Sequence, residues 1–150
     1  MNFETWEAGR TCFPKSWVLV CEDKPDYQAR IASAMAEIVD RETTICAYLP
    51  DAESAVRAFL TMSPVYGMPA FVLVDHDIPI GPGPLLVRDL RSLDFCGPII
   101  AISAEYRGNI RLLEAGASCC VLKSDTELLK KTCKDIINGM GQDSNIHSRI

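Results

Sequence analysis

Four short, continuously apolar runs, each ending on a polar residue, constrain this 150-residue chain more than anything else in it. WVLVC (17–21) leads into Glu22 and Asp23, FVLV (71–74) into Asp75, PIIAI (98–102) into Ser103, and CCVL (119–122) into Lys123. Runs of this length without polar alternation suit strands buried on both faces, the condition of a parallel sheet covered by helices. Their spacing leaves room for a helix between each pair.

The intervening segments carry that helical signal. Residues 26–40 place Tyr27, Ile31, Met35, Ile38 and Val39 at helix spacing, with Asp26 the expected cap after Pro25. The β-branched stretch TTICAYL (43–49) adds a strand, second in chain order. Asp51 is expected to cap a second helix with an apolar face of Ala55, Val56, Phe59, Leu60 and Met62, and Pro64, Gly67 and Pro69 mark a loop. The third strand is expected over 70–74 and a Gly/Pro-rich loop over 75–84, before a third helix with a stripe of Leu85, Leu86, Leu90 and Leu93. A fourth strand (99–102) precedes a short helix over 106–115 that stops at Gly116. The fifth strand (119–122) leads to a helix opened by Ser124 or Asp125, with Leu128, Leu129, Cys133, Ile136, Ile137 and Met140 inward.

Five strands alternating with five helices imply an α/β fold with right-handed crossovers; the pattern alone leaves strand order open. In an open parallel sheet the carboxyl ends of the strands share one crevice, where ligands bind. Glu22, Asp23, Asp75, Ser103 and Lys123 would then meet in one pocket. Carboxylates, a hydroxyl and an ammonium together suit a divalent cation and a transferable phosphoryl group.

Composition narrows the class further. At 48% hydrophobic, the chain fits one domain that buries roughly 68–70% of its unfolded surface. A net charge of −5 without a Lys/Arg stripe argues against a nucleic-acid footprint. Lys130, Lys131 and Lys134 lie beside Glu127 and Asp135 and read as a solvated helix face. The cysteines number seven (Cys12, Cys21, Cys46, Cys96, Cys119, Cys120 and Cys133), an odd count with no CxxC pair. They read as small hydrophobes in a reducing compartment, not as zinc ligands or disulfides. The opening MNFETWEAGRTCFPK lacks a secretion signal's basic start and apolar core, and no apolar run approaches a membrane span, so a cytoplasmic location is expected. Residues 1–16 read as an N-terminal arm whose Trp6 and Phe13 are available to pack on the domain or a partner; 17–138 form the domain; 139–150 read as a flexible tail.

VLVCEDKP (18–25), FVLVDHDIP (71–79), IIAISAE (99–105) and GASCCVLKS (116–124) together resemble, in order and spacing, the receiver domain of two-component response regulators. The resemblance covers about residues 17–138. It implies a flavodoxin-like, doubly wound five-stranded parallel sheet of order 2-1-3-4-5. It implies that Asp75 accepts a phosphoryl group from a histidine kinase or phosphotransfer protein. Glu22, Asp23 and Asp75, with the backbone carbonyl of Asp77, are implied to hold Mg²⁺. Glu22 replaces the commoner aspartate and, one methylene longer, can still act through a metal-bound water. Lys123 is implied to meet the phosphoryl oxygens, and the Ser103 hydroxyl to move toward them. Signalling would follow through protein contacts on helix four, strand five and helix five (106–138). No DNA-binding or catalytic output domain is expected beyond that point. Such a protein is not a conventional enzyme; it catalyses at most its own phosphorylation and dephosphorylation.

The chain departs from the family pattern in several places. Cys120 stands where the family has an aromatic residue that rotates inward on activation. Ser124 replaces the usual proline after the lysine, so a cis peptide is not expected at 123–124. The loop HDIPIGPGP keeps Pro79 and Gly81 but adds Pro82 and Pro84. Asp77 and Glu105 occupy the two positions that tune phosphoryl lifetime, and His76 reads as a loop histidine. Cys120 and Ser124 favour an alternative, a degenerate receiver acting as a phosphorylation-independent interaction module, which the intact acidic site and Lys123 disfavour. A third reading is a phosphatase of similar topology with an aspartyl intermediate, for which Asp77 would be the second acid/base aspartate.

Overall fold

The computed structural model describes residues 16–79 and 82–139. Cys12, Trp6 and Phe13 of the arm, Gly81, Met140 and the rest of the tail lie outside the described residues. In chain order the elements are β1 (Ser16–Cys21), α1 (Pro25–Ile38), β2 (Thr44–Leu49), α2 (Ala52–Tyr66), β3 (Phe71–Asp75), α3 (Gly83–Ser92), β4 (Ile99–Ser103), α4 (Tyr106–Ala115), β5 (Cys119–Leu122) and α5 (Thr126–Gly139). The strands form one parallel sheet of order β2-β1-β3-β4-β5. This is the flavodoxin-like order that the motif segments imply.

Strand periodicity divides the core into two layers. Trp17, Leu19, Val72, Val74, Ile99 and Ala101 face one side, where α2, α3 and α4 supply Phe59, Leu86, Leu90 and Leu112. Val18, Val20, Phe71, Leu73, Ile100 and Ile102 face the other, where α1 and α5 supply Ile31, Met35, Leu129 and Cys133. The central strands β1, β3 and β4 are buried along nearly their whole length, and β2, at the sheet edge, is only half-buried. Burying each large aliphatic or aromatic side chain contributes about 1.5–3 kcal/mol, so two full layers hold the sheet rigid beneath its rim.

Several local expectations need correction. Lys24, not Asp26, is the N-cap of α1; Pro25 takes the first helical position, where a missing N–H costs nothing, and Asp26 falls in the first turn. Pro64 lies inside α2, not in the following loop: the helix runs on to Tyr66, which packs on the core, and closes through Gly67 N–H to Ser63 O. Leu60, Leu85 and Leu128 are 54%, 45% and 42% exposed. Each adjoins a residue that faces the core (Phe59, Leu86, Leu129), and helix neighbours point about 100° apart, so only one of each doublet can turn inward. Asp51 caps α2 through Ser54 N–H at 2.7 Å, and Asp125 receives Leu128 N–H at 3.0 Å at the start of α5. β3 and β4 extend one residue further than expected, so that Asp75 and Ser103 are their last residues.

At the amino ends of β4 and β5 one side chain ties the loops together. The Arg91 guanidinium donates to the carbonyls of Phe95 (2.8 Å), Gly97 (2.7 Å) and Gly116 (2.9 and 3.0 Å) and to Ser118 Oγ (3.2 Å). Gly116 itself has φ +123, which a side-chain-bearing residue adopts only with strain. Among the described cysteines, all free thiols, Cys21 and Cys133 are buried and Cys96, in a loop, is exposed. Burial, with the neighbouring Cys120, pushes the Cys119 thiol up to about 11.

Candidate functional site

The opposite rim of the sheet carries the charged groups. β1 ends at Cys21, and the following turn presents Glu22 and Asp23. Glu22 is fully buried; its Oε1 accepts from Lys24 N–H at 3.1 Å, and its main-chain carbonyl accepts from Gln28 Nε2. Asp75 ends β3 beside Ile102 of β4 and is also buried. Lys123 follows β5, its N–H donating to Ser103 O at 2.9 Å. Its Nζ lies 2.9 Å from Asp75 Oδ2 and 2.8 Å from Glu22 Oε2. The first contact is an aligned hydrogen bond; the second is an ion pair without that alignment.

The carboxylates of Glu22, Asp23 and Asp75 each offer an oxygen within 4.8 Å of the others. Among the described residues, Asp23 Oδ1 is buried with no hydrogen-bond partner. Two carboxylates thus share the Lys123 ammonium, and the third lies beside them with its Oδ1 orphaned among the described residues. An unpaired buried oxygen is costly unless something else meets it. A small hard cation fits this donor set, because Mg²⁺ and its analogues take oxygen ligands. The donor chemistry of the cluster therefore fits a divalent ion.

Electrostatics follow from the geometry. Burial holds the Asp75 and Glu22 carboxyls above the ordinary carboxylate range, against the lowering pull of Lys123. For Lys123, burial lowers the affinity for its proton, and the bonds to Glu22 and Asp75 outweigh it, so the net direction is up.

Ser103 is 2% exposed, and its Oγ accepts from Glu105 N–H at 3.1 Å. Among the described residues it bonds to neither Asp75 nor the Lys123 side chain. The Asp77 carboxylate is 80% exposed and paired with His76 Nδ1 at 2.8 Å, away from the gathered carboxylates. A cleft of about 260 Å³ opens beside the cluster, lined by His76, Asp77, Ser103, Glu105 and Gly108 among others. The peptide bond at 123–124 is trans, as Ser124 leads one to expect.

Sequence reasoning missed three contributors. Tyr27 was expected only as a helix-core residue; its hydroxyl donates to Lys123 O at 2.9 Å, and Lys123 Nζ lies 4.7 Å from its ring centroid. Gly83 opens α3 so close to β3 that a Cβ there would lie 2.2 Å from Asp75 O. Asn109, buried in α4, donates to Val121 O at 3.1 Å. Tyr27 and Lys123 are 96 residues apart, so no local pattern announces their contact.

No protein-family model and no curated protein matches the sequence. Solved structures do. The beryllofluoride-activated receiver domain of RstA from Klebsiella pneumoniae is 25% identical with TM-score 0.64, covering 81% of this chain and 98% of that one. The receiver domain of a histidine kinase from Syntrophus aciditrophicus is 22% identical with TM-score 0.69, covering 87% and 96%. The Mn²⁺-bound response regulator Rcp1 is 18% identical with TM-score 0.62, covering 86% and 96%. With the strand order and the four motif segments already in place, these likenesses identify the chain's fold as that of a receiver domain of two-component systems.

Proposed function

We propose that this chain is a phosphoacceptor receiver that takes a phosphoryl group from a phosphohistidine of a kinase or phosphotransfer protein onto Asp75. The observation that carries the reading is the Asp75 carboxylate itself: buried, 2.9 Å from Lys123 Nζ, and gathered with Glu22 and Asp23. In the transfer an Asp75 oxygen attacks phosphorus, the P–N bond breaks, and the donor histidine leaves. Lys123 compensates charge on the phosphoryl oxygens, and the Ser103 hydroxyl donates to one of them. Glu22, Asp23, Asp75 and the carbonyl of Asp77 would hold Mg²⁺, which when bound neutralises carboxylate and phosphoryl charge. The acyl phosphate adds about −1.5 to −2 charge, by analogy with other phospho-residues, and biases a two-state surface.

That surface is the α4–β5–α5 face, where Tyr106, Ile110, Leu122 and Leu128 are exposed apolar side chains available to a protein partner. No helix among the described residues is long and apolar enough to cross a membrane, and the described cysteines are free thiols; both support placing the protein in the cytoplasm. Labelling with a phosphodonor and Mg²⁺ tests the function: wild type should label, and an Asp75→Asn variant that labels equally would remove the reading.

One observation favours a second reading, a phosphorylation-independent interaction module. Cys120 is half-buried against the apolar layer and has no ring to swing inward. A Mg²⁺ titration separates the two, because a pure scaffold has no need to bind the ion.

A further inference from the structure

Gly108 lies in the first turns of α4, and its backbone has no need of glycine, since its φ lies outside the left-handed region. A glycine inside a helix weakens it relative to alanine. The reason for its presence is space. A Cβ at 108 would lie 2.3 Å from Ser103 Oγ and 3.1 Å from Cβ and Cγ of His76. The room left by the missing side chain is the room in which the Ser103 hydroxyl rests, held by Glu105 N–H at 3.1 Å.

The hydroxyl oxygen accepts from Glu105 N–H and, among the described residues, has no bond to Asp75 or to the Lys123 side chain; donation to a group on Asp75 through a second serine rotamer would take it out of the space over Gly108. A methyl group at 108 would make the resting place too small. The helix itself is poorly free to retreat, because Asn109 Nδ2 is bonded to Val121 O at 3.1 Å in a buried contact with β5. Rotation about one serine bond is the cheaper relief.

We propose that Gly108 is a positioning residue: it gives the Ser103 hydroxyl its resting place against α4 and so sets the fraction of molecules ready for a phosphoryl group. The coupling also runs the other way. When the hydroxyl departs, the space over Gly108 empties, and α4 senses the change directly, without the aromatic ring that Cys120 lacks. The proposal rests on the phosphoacceptor reading for its consequence, but its geometry can be tested separately.

The test is Gly108→Ala in the full chain, titrated with beryllofluoride and Mg²⁺ as a phosphoryl mimic. Destabilising the resting conformer should tighten binding about threefold to tenfold. In a Ser103→Ala background the same substitution should change affinity not at all and should raise thermal stability. Unchanged or weaker binding in Gly108→Ala, or an equal gain without the hydroxyl, overturns the proposal. A second readout needs no ligand. Loss of the bond to Ser103 Oγ should speed hydrogen exchange at the Glu105 amide about tenfold, and unchanged exchange overturns the proposal too. If wild type itself binds no beryllofluoride, the phosphoacceptor reading falls, and the Glu105 amide still decides the role of Gly108.

Discussion

Arg91, reaching from α3, and Lys123, just after β5, are both partly buried cations on opposite rims of the same sheet, and they are satisfied in opposite ways. Arg91 faces neutral carbonyls and a hydroxyl, which take up its fork of donors and leave no charge facing it. Lys123 faces two buried carboxylates, with a third carboxylate beside them whose Oδ1 has no partner among the described residues. A structural cation ends its accounts closed. The Lys123 cluster is left open by one oxygen and by an excess of negative charge, and an open cluster has something further to bind. Burial alone therefore does not mark a functional charge; incomplete compensation does.

The contrast can be broken experimentally at either rim. The largest effect belongs to Lys123→Ala, which removes the one cation that, among the described residues, pairs with the carboxylate cluster. Phosphoryl acceptance should fall about 10²–10³-fold, measured as labelling rate at saturating donor, the size of loss seen when one preorganised charge donor is deleted. Arg91→Ala should instead cost about 2–4 kcal/mol of unfolding free energy by denaturant titration, because several carbonyls lose their donor at once. It should leave Mg²⁺ affinity unaltered. A loss of Mg²⁺ binding in Arg91→Ala, or unchanged labelling in Lys123→Ala, would erase the distinction between the rims.

A smaller effect sharpens it. Burial holds the Asp75 carboxyl above its ordinary range, so the folded state binds that proton more tightly than the unfolded chain does. Stability is then lost as pH rises from the ordinary carboxylate value, about 4, through the raised folded value. In chelator near neutral pH, Asp75→Asn should melt about 2–4 °C above wild type. The gain should vanish as the pH falls toward 4 and, with the ion held as proposed, reverse when Mg²⁺ is added, since a carboxylate is a stronger ligand for the ion than an amide. Scanning calorimetry across pH checks all three signs. The smallest effect is that of Tyr27→Phe, which keeps the ring beneath Lys123 Nζ but loses the bond to Lys123 O. It should cost about 1 kcal/mol of stability.

The parts legible in the sequence are those written locally. β1, β3 and β4 are recognisable because a strand buried on both faces must be apolar at every position, β5 carries a similar run although it is only partly buried, and the polar residue that ends each run lands on the rim. Strand order came from the joint order of four motif segments, not from any one of them. Helix doublets such as Leu85–Leu86 and Leu128–Leu129 misled because hydrophobicity does not say which of two neighbours turns inward. Tyr27, Gly83 and Asn109 were illegible for a different reason: each acts on a group from another strand or loop, and the sequence gives no sign of the pairing.

The close approach of Gly83 to the carbonyl of Asp75 bears on how a saturation-mutagenesis map of this protein would be read. Any replacement at 83 must push the peptide of the neighbouring strand end, so the position should score as intolerant as Asp75 while touching no reactant. A map read without coordinates would assign chemistry to a residue whose whole contribution is to be small.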